Sequence, residues 1–174
     1  MKLTFNRFSG MAGVAVAAVL SVLGLGMPST ASAEPDFVVD LPAGLACPSF
    51  DLRVEITGNP NRVYREFHDK SGNLVRVLGA GKGNTLTFIN LGTGATLSPR
   101  PNGSVEHTTF DANGMQTTTI TGHNVLILFP SDVPAGPSTK MYVGRLVFTV
   151  DISGVFTVKS VSGKSMDICA ALSG

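Results

Sequence analysis

Arg65 and Arg76 are the residues of this sequence best placed to do binding chemistry. They stand in neighbouring β-like runs, Arg62–His68 and Asn73–Leu78, joined by the turn Asp69-Lys70-Ser71-Gly72. Pairing His68 with Asn73 across that turn sets Phe67 opposite Leu74, Arg65 opposite Arg76 and Val63 opposite Leu78. Pairing Thr57 with Arg62 across Gly58-Asn59-Pro60-Asn61 adds Leu52, Val54 and Ile56 to the same face and sets Arg53 against Glu66 on the other. Like charges opposite one another destabilise a sheet unless something compensates. An anionic ligand, or a buried carboxylate, could do so through bidentate contacts to both guanidinium groups. The structural account is a register one residue away, or arginines lying flat on a partly exposed face.

Other chemistries find less support. His68, His107 and His123 form no close HxH or HExxH pattern. With Phe110 opposite Met115, His107 pairs with Thr118 and position 123 falls opposite position 102, so the two histidines do not converge. Zinc would need distant strands to assemble them with Glu106 or Asp111; no metal and no cofactor are expected. The sequence holds no GxSxG elbow. Gly79-Ala80-Gly81-Lys82-Gly83-Asn84-Thr85 lacks the phosphate-loop spacing, and a β-like run follows where a helix would have to start. Asp51, Glu55, Glu66 and Asp69 are scattered carboxylates. Catalytic residues are therefore expected to be none. An enzyme remains the third reading, with Tyr64, Arg65 and Arg76 at a barrel mouth.

Cys47 and Cys169 are the chain's two cysteines. Neither belongs to a CxxC, and both sit in apolar text. An even count in an exported chain points to a disulfide, here one that ties the first strand region to the last.

The elements that position these groups are short β-like runs: Asp51–Thr57, Arg62–His68, Asn73–Leu78, Thr85–Asn90, Ser104–Phe110, Met115–Thr121, Val125–Phe129, Met141–Val150 and Val155–Val161, with Thr96–Ser98 as a weak tenth. Gly and Asn in the intervening turns supply the positive φ that tight hairpins need. Regular strands with hairpin turns predict an all-β antiparallel meander. The expected form is an up-and-down β-barrel of about 8–10 strands, with a β-sandwich as the alternative. Pro130 to Lys140, with three prolines, is the candidate lid or contact loop. Met166 to Leu172 reads as one helical turn.

Of 174 residues, the first 33 read as a cleaved signal peptide: Lys2 and Arg7, the apolar run Met11–Leu25, then Ala31-Ser32-Ala33 before Glu34. The run is too short to span a bilayer as a helix, so no transmembrane segment is expected after cleavage. Residues 34–46 read as an extended lead-in and 47–174 as a single β-domain. The full chain carries 13 Lys+Arg and 12 Asp+Glu, so losing Lys2 and Arg7 leaves 11 against 12. A near-neutral balance gives no general case for nucleic acid as a partner.

Cys47-Pro48-Ser49-Phe50, the Gly-rich turns and the ending Asp167-Ile168-Cys169-Ala170-Ala171-Leu172 resemble the small exported β-rich proteins of actinobacteria, a mostly uncharacterised group. The resemblance covers roughly Cys47 to Leu172. It implies a secreted or cell-envelope location and a β-rich domain, and it carries over no catalytic residues.

Two functional expectations follow beside the enzyme reading. The first is a non-enzymatic barrel holding a small or lipid-like ligand, lined by Leu52, Phe67, Leu74, Leu86 and Phe88 with Arg65 and Arg76. The second is an envelope protein acting through surface contacts, with a patch near Val133–Tyr142.

Overall fold

A computed structural model describes residues 34–100 and 102–174. The expected signal peptide lies outside the described residues. The elements are β1 (Phe37–Leu41), β2 (Leu52–Thr57), β3 (Val63–His68), β4 (Leu74–Lys82), β5 (Thr85–Asn90), β6 (Thr96–Leu97), β7 (Gly103–Phe110), β8 (Gln116–Leu128), β9 (Ser138–Val150), β10 (Phe156–Asp167) and the short helix α1 (Ile168–Leu172). All strand pairs within the sheets are antiparallel. They form a four-stranded sheet, β1-β2-β5-β6, and a six-stranded sheet, β10-β9-β8-β7-β4-β3. The fold is all-β as expected, in two sheets and without a closed barrel.

The smaller sheet forms because β2 and β5 alternate. Leu52, Val54 and Phe88 turn inward and are buried, while Arg53 faces out and forms a two-pronged pair with Asp40 of β1, Nε to Oδ1 at 2.7 Å and Nη2 to Oδ2 at 2.8 Å. The lead-in thus contributes an edge strand. Against these residues pack Ala46, Cys47 and the inner side of α1, namely Ile168, Cys169 and Leu172. The expected Cys47–Cys169 disulfide is present. Two fully or nearly buried polar side chains fasten the same corner: Thr139 Oγ1 donates to the Ala46 carbonyl at 3.0 Å, and Asn90 Nδ2 donates to the Leu172 carbonyl at 3.1 Å.

The larger sheet is folded across its strands. Gly81, Ser104, Gly122, Gly144 and Gly163 stand side by side in β4, β7, β8, β9 and β10. The four glycines have φ of +126°, +104°, +145° and +102°, a conformation that L side chains rarely adopt and that kinks a strand. The chain after β8 measures the fold. Straight, β8 would hold Leu128 about 36 Å beyond the level of Thr117. Yet Val133 pairs with Thr157, which lies at the level of Thr117. The five residues from Leu128 to Val133 reach at most about 18 Å. The strands must therefore double back at the glycine row.

The row also explains a change of texture along β8. Before it, threonines alternate with inward residues. After it, Val125 and Ile127 pack on the small-sheet core while Leu126 and Leu128 enter a second core with Ile120, Tyr142, Leu146 and Phe148. A segment buried on both faces reads as a continuous apolar run.

Three expected pairings are corrected. β2 pairs with β1 and β5, not with β3, so Leu52 does not face Phe67 and Arg53 does not face Glu66. Arg65 faces Leu78 and Arg76 faces Phe67, so the two arginines are not directly opposed. His107 faces Thr119, not Thr118. The runs Met115–Thr121 and Val125–Phe129 belong to one strand, because Gly122 marks a kink and not a turn.

Candidate functional site

Three of the hairpins in the large sheet use one turn. Asp69, Asp111 and Asp151 each begin an Asp-x-x-Gly-x segment. In each, Asp Oδ1 accepts the N–H groups two and four residues on, at 2.8–3.0 Å. The glycines Gly72, Gly114 and Gly154 take φ of +85°, +79° and +82°. A three-residue loop of this kind sets the strand register. In β3–β4 a bulge follows: His68 pairs with Leu74, but Phe67 pairs with Arg76. The extra residue, Val75, brings Arg76 to the same face as Phe67.

These registers assemble three rows across all six strands, on the face opposite the second core. The rows are Val63, Ala80, Val105, Thr121, Arg145 and Ser162; then Arg65, Leu78, His107, Thr119, Val147 and Ser160; then Phe67, Arg76, Thr109, Thr117, Thr149 and Thr157. None of the eighteen is buried. Eight are Ser or Thr, four are Arg or His, and none is acidic. At one corner the Arg76 guanidinium carbon lies 3.9 Å from the Phe67 ring centroid and that of Arg65 lies 5.7 Å from it. Such contacts hold a cation by the negative face of the ring. Arg76 Nε is buried and has no hydrogen-bond partner.

The other face carries a polar cluster beside the second core. Arg62 donates from Nε to Tyr64 Oη at 2.7 Å, from Nη1 to Ser104 Oγ at 2.9 Å and from Nη2 to Glu106 Oε2 at 3.1 Å. The Arg62 side chain is only 8% exposed and that of Glu106 only 13%. Thr108 Oγ1 donates to Glu106 and shares a 2.9 Å bond with Thr118 Oγ1. Tyr64 lies over Gly79, where a Cβ would meet its ring at 2.9 Å. In this arrangement Arg62 is held by Tyr64, Ser104 and Glu106.

The residues expected to line one cavity separate into two places. Leu52 and Phe88 are fully buried in the small-sheet core, with Leu86 packed against it. Arg65, Phe67 and Arg76 lie on the open face of the other sheet, and Leu74 pairs with His68 at its end. The proline-rich loop is tied down: Asp132, 4% exposed, accepts the N–H of Phe129 at 2.6 Å and of Phe156 at 2.9 Å. Val133 remains exposed at its tip, whereas Thr139 and Tyr142 are buried. A cleft of about 220 Å³ lies beside the disulfide, between Pro48, Pro137, Asp167 and Ser173. Among the described residues no group of three His, Cys, Asp or Glu is arranged to hold a metal ion, and no helix is long and apolar enough to cross a membrane.

Among the described residues four groups titrate away from their ordinary values. The hydrogen bond between Arg53 and Asp40 lowers the Asp40 carboxyl and raises the Arg53 guanidinium. The Asn73 side chain, then its backbone N–H, lowers Asp69. Burial, and next the charge of Asp167, raises the Tyr142 phenol. None of the four belongs to the open face.

Sequence reasoning found Arg65, Phe67 and Arg76 but missed their companions His107, Arg145, Thr149 and Thr157. Alternation showed that those side chains share a face within each strand; it did not show which strands are neighbours. Compared with family models, curated proteins and solved structures, the chain has no match.

Proposed function

We propose that the protein is an exported, non-catalytic binding module, and that its working surface is the open face of the six-stranded sheet. The partner is a polymer of the cell envelope, rich in hydroxyl groups. The observation that carries this reading is the three-row face itself, accessible at every position and dense in Ser and Thr hydroxyls. Each hydroxyl is both a donor and an acceptor, which suits a sugar chain. Six strands set about 4.8 Å apart make a surface about 24 Å wide between the outer strands, enough for several sugar rings.

A small or lipid-like ligand held inside is supported less well. Leu52, Leu86 and Phe88 are spent on a packed core, and the 220 Å³ cleft is below the roughly 300–1,000 Å³ common for ligand pockets. The surface reading also takes the two sheets as a sandwich-like pair and not as a barrel with an interior site.

The test is co-sedimentation of residues 34–174 with insoluble bacterial peptidoglycan. The unaltered protein should pellet. Thr119→Glu, which puts a carboxylate in the middle of the face, should stay in solution, and Ser71→Glu, in a turn, should pellet normally. Failure of the unaltered protein to pellet, or equal pelleting of all three, would overturn the proposal.

A further inference from the structure

We infer that the polymer is acidic, and that Arg65 and Arg76, gathered on Phe67, are the subsite that reads its carboxylates. The inference rests on the open-face reading and names the chemistry of the ligand.

The first support is charge. Arg65, Arg76, His107 and Arg145 share the open face, and none of its eighteen residues is acidic. The chain as a whole is almost balanced, with 13 basic and 12 acidic side chains, so this face is a local concentration of positive charge. Acids near the sheet lie elsewhere: Asp69, Asp111 and Asp151 in the turns, Glu66 and Glu106 on the opposite face, and Asp40 on the other sheet against Arg53.

The second support is preorganisation. A guanidinium carbon 3.9 Å from the Phe67 centroid lies on the ring, which occupies the flat face of the ion and leaves its edge for hydrogen bonds. An Arg edge matches a carboxylate through two parallel N–H···O bonds. The bulge at Val75 creates this pairing, since an unbroken register would put Arg76 on the opposite face. The contrast with Arg62 is informative. That arginine is neutralised by Glu106 within the fold, whereas Arg76 lies against an aromatic ring.

The third support is continuity. The row that starts with Phe67 and Arg76 runs on through Thr109, Thr117, Thr149 and Thr157. A chain carrying both carboxylates and hydroxyls finds cations at one end and hydroxyls along the rest. Nucleic acid would call for a line of cations along the same path.

The experiment is affinity electrophoresis of residues 34–174 in gels containing polygalacturonate, dextran, polyphosphate or double-stranded DNA. Polygalacturonate should retard the protein about tenfold more effectively than dextran. Arg65→Gln with Arg76→Gln should abolish that preference and leave dextran retardation unchanged. Arg53→Gln, on the other sheet, should change neither. Arg65→Gln alone, at an exposed position, should lose part of the preference even if the double variant melts early. Equal retardation by polygalacturonate and dextran, abolished for both by Thr119→Glu, would leave the open-face reading standing and overturn the acidic one. Stronger retardation by polyphosphate or DNA, an equal loss in Arg53→Gln, or no retardation by any polymer would also overturn it.

Discussion

Gly122 and Gly144 face each other across β8 and β9, both at positive φ, and neither position has room for a Cβ. A Cβ on Gly122 would run into the Gly103 carbonyl, and one on Gly144 into the Ser162 carbonyl. The obstacle is backbone, which cannot swing aside. Gly144→Ala should therefore destabilise by about 3 kcal/mol or more, combining left-handed strain with the clash. Gly154→Ala has a similar φ sign but nothing within 4 Å of its Cβ, and should lose only about 1–2 kcal/mol. Urea denaturation of both variants measures the difference.

The disulfide closes a separation of 122 residues. Combining Cys47→Ser with Cys169→Ser should lower stability by about 5 kcal/mol in the chain-entropy treatment. Denaturation of that double variant against the oxidised protein gives the value, and reduction of the unaltered protein should reproduce it.

Buried Asp132 holds the proline-rich loop by accepting two part-buried N–H groups, from Phe129 and Phe156. Asp132→Ala leaves both without a partner and should destabilise by about 2–4 kcal/mol. Amide exchange should speed up at Phe129, Val133 and Phe156, and stay slow in β2 and β5. Exchange rising uniformly through the molecule would refute a local role.

The Asp-x-x-Gly turns predict separable losses. Asp151→Ala removes two acceptor contacts and should lower stability by about 1–2 kcal/mol, with Asp151→Asn losing less because it retains one oxygen. Combined with Asp69→Ala, the losses should add, since the β3–β4 and β9–β10 turns lie at opposite edges of the six-stranded sheet.

Stability should fall at both ends of the pH range. Asp40 and Asp69 have folded-state values below their unfolded ones. Their contribution is present above about pH 4 and is lost as pH falls through the folded values. Tyr142 is raised. Above about pH 10 the unfolded chain ionises this phenol more readily than the folded one does, so stability declines there. Asp69→Asn should flatten the acid limb, and Tyr142→Phe the alkaline limb, in denaturation series run against pH.

Much of the local structure was legible in the sequence, because turn chemistry and alternation are local. Thr85–Asn90 matches its strand end for end, and the expected turn Met166–Leu172 appears as α1 from Ile168 on, its first two residues ending β10. The partners were harder. Asn59 and Arg62 do form a turn, with the Arg62 N–H donating to the Asn59 carbonyl at 3.2 Å. The chain then leaves for the other sheet, a choice set by what each strand buries far away. The Arg65–Arg76 pairing failed first at the turn, which sets Asn73 on Asp69 and Leu74 on His68, and then at Val75, whose bulge has no mark in the residue types. Gly122 was ambiguous in kind, since glycine serves equally as a turn and as a kink. The open face was the least visible feature, because Thr109, Thr117, Thr149 and Thr157 become neighbours only when four strands are aligned.

The small-sheet core draws on both ends of the described chain, joining Ala46, Cys47 and Leu52 to Ile168, Cys169 and Leu172. A polypeptide emerging N-terminus first cannot finish that core until its last helix arrives. β1 and β2 can pair with each other and then with β5, but their inner face stays uncovered until Ile168–Leu172 arrives, more than a hundred residues after Cys47, and long-range closure of this kind is slow. The final turn of helix then acts as the latch that commits the molecule to its compact form.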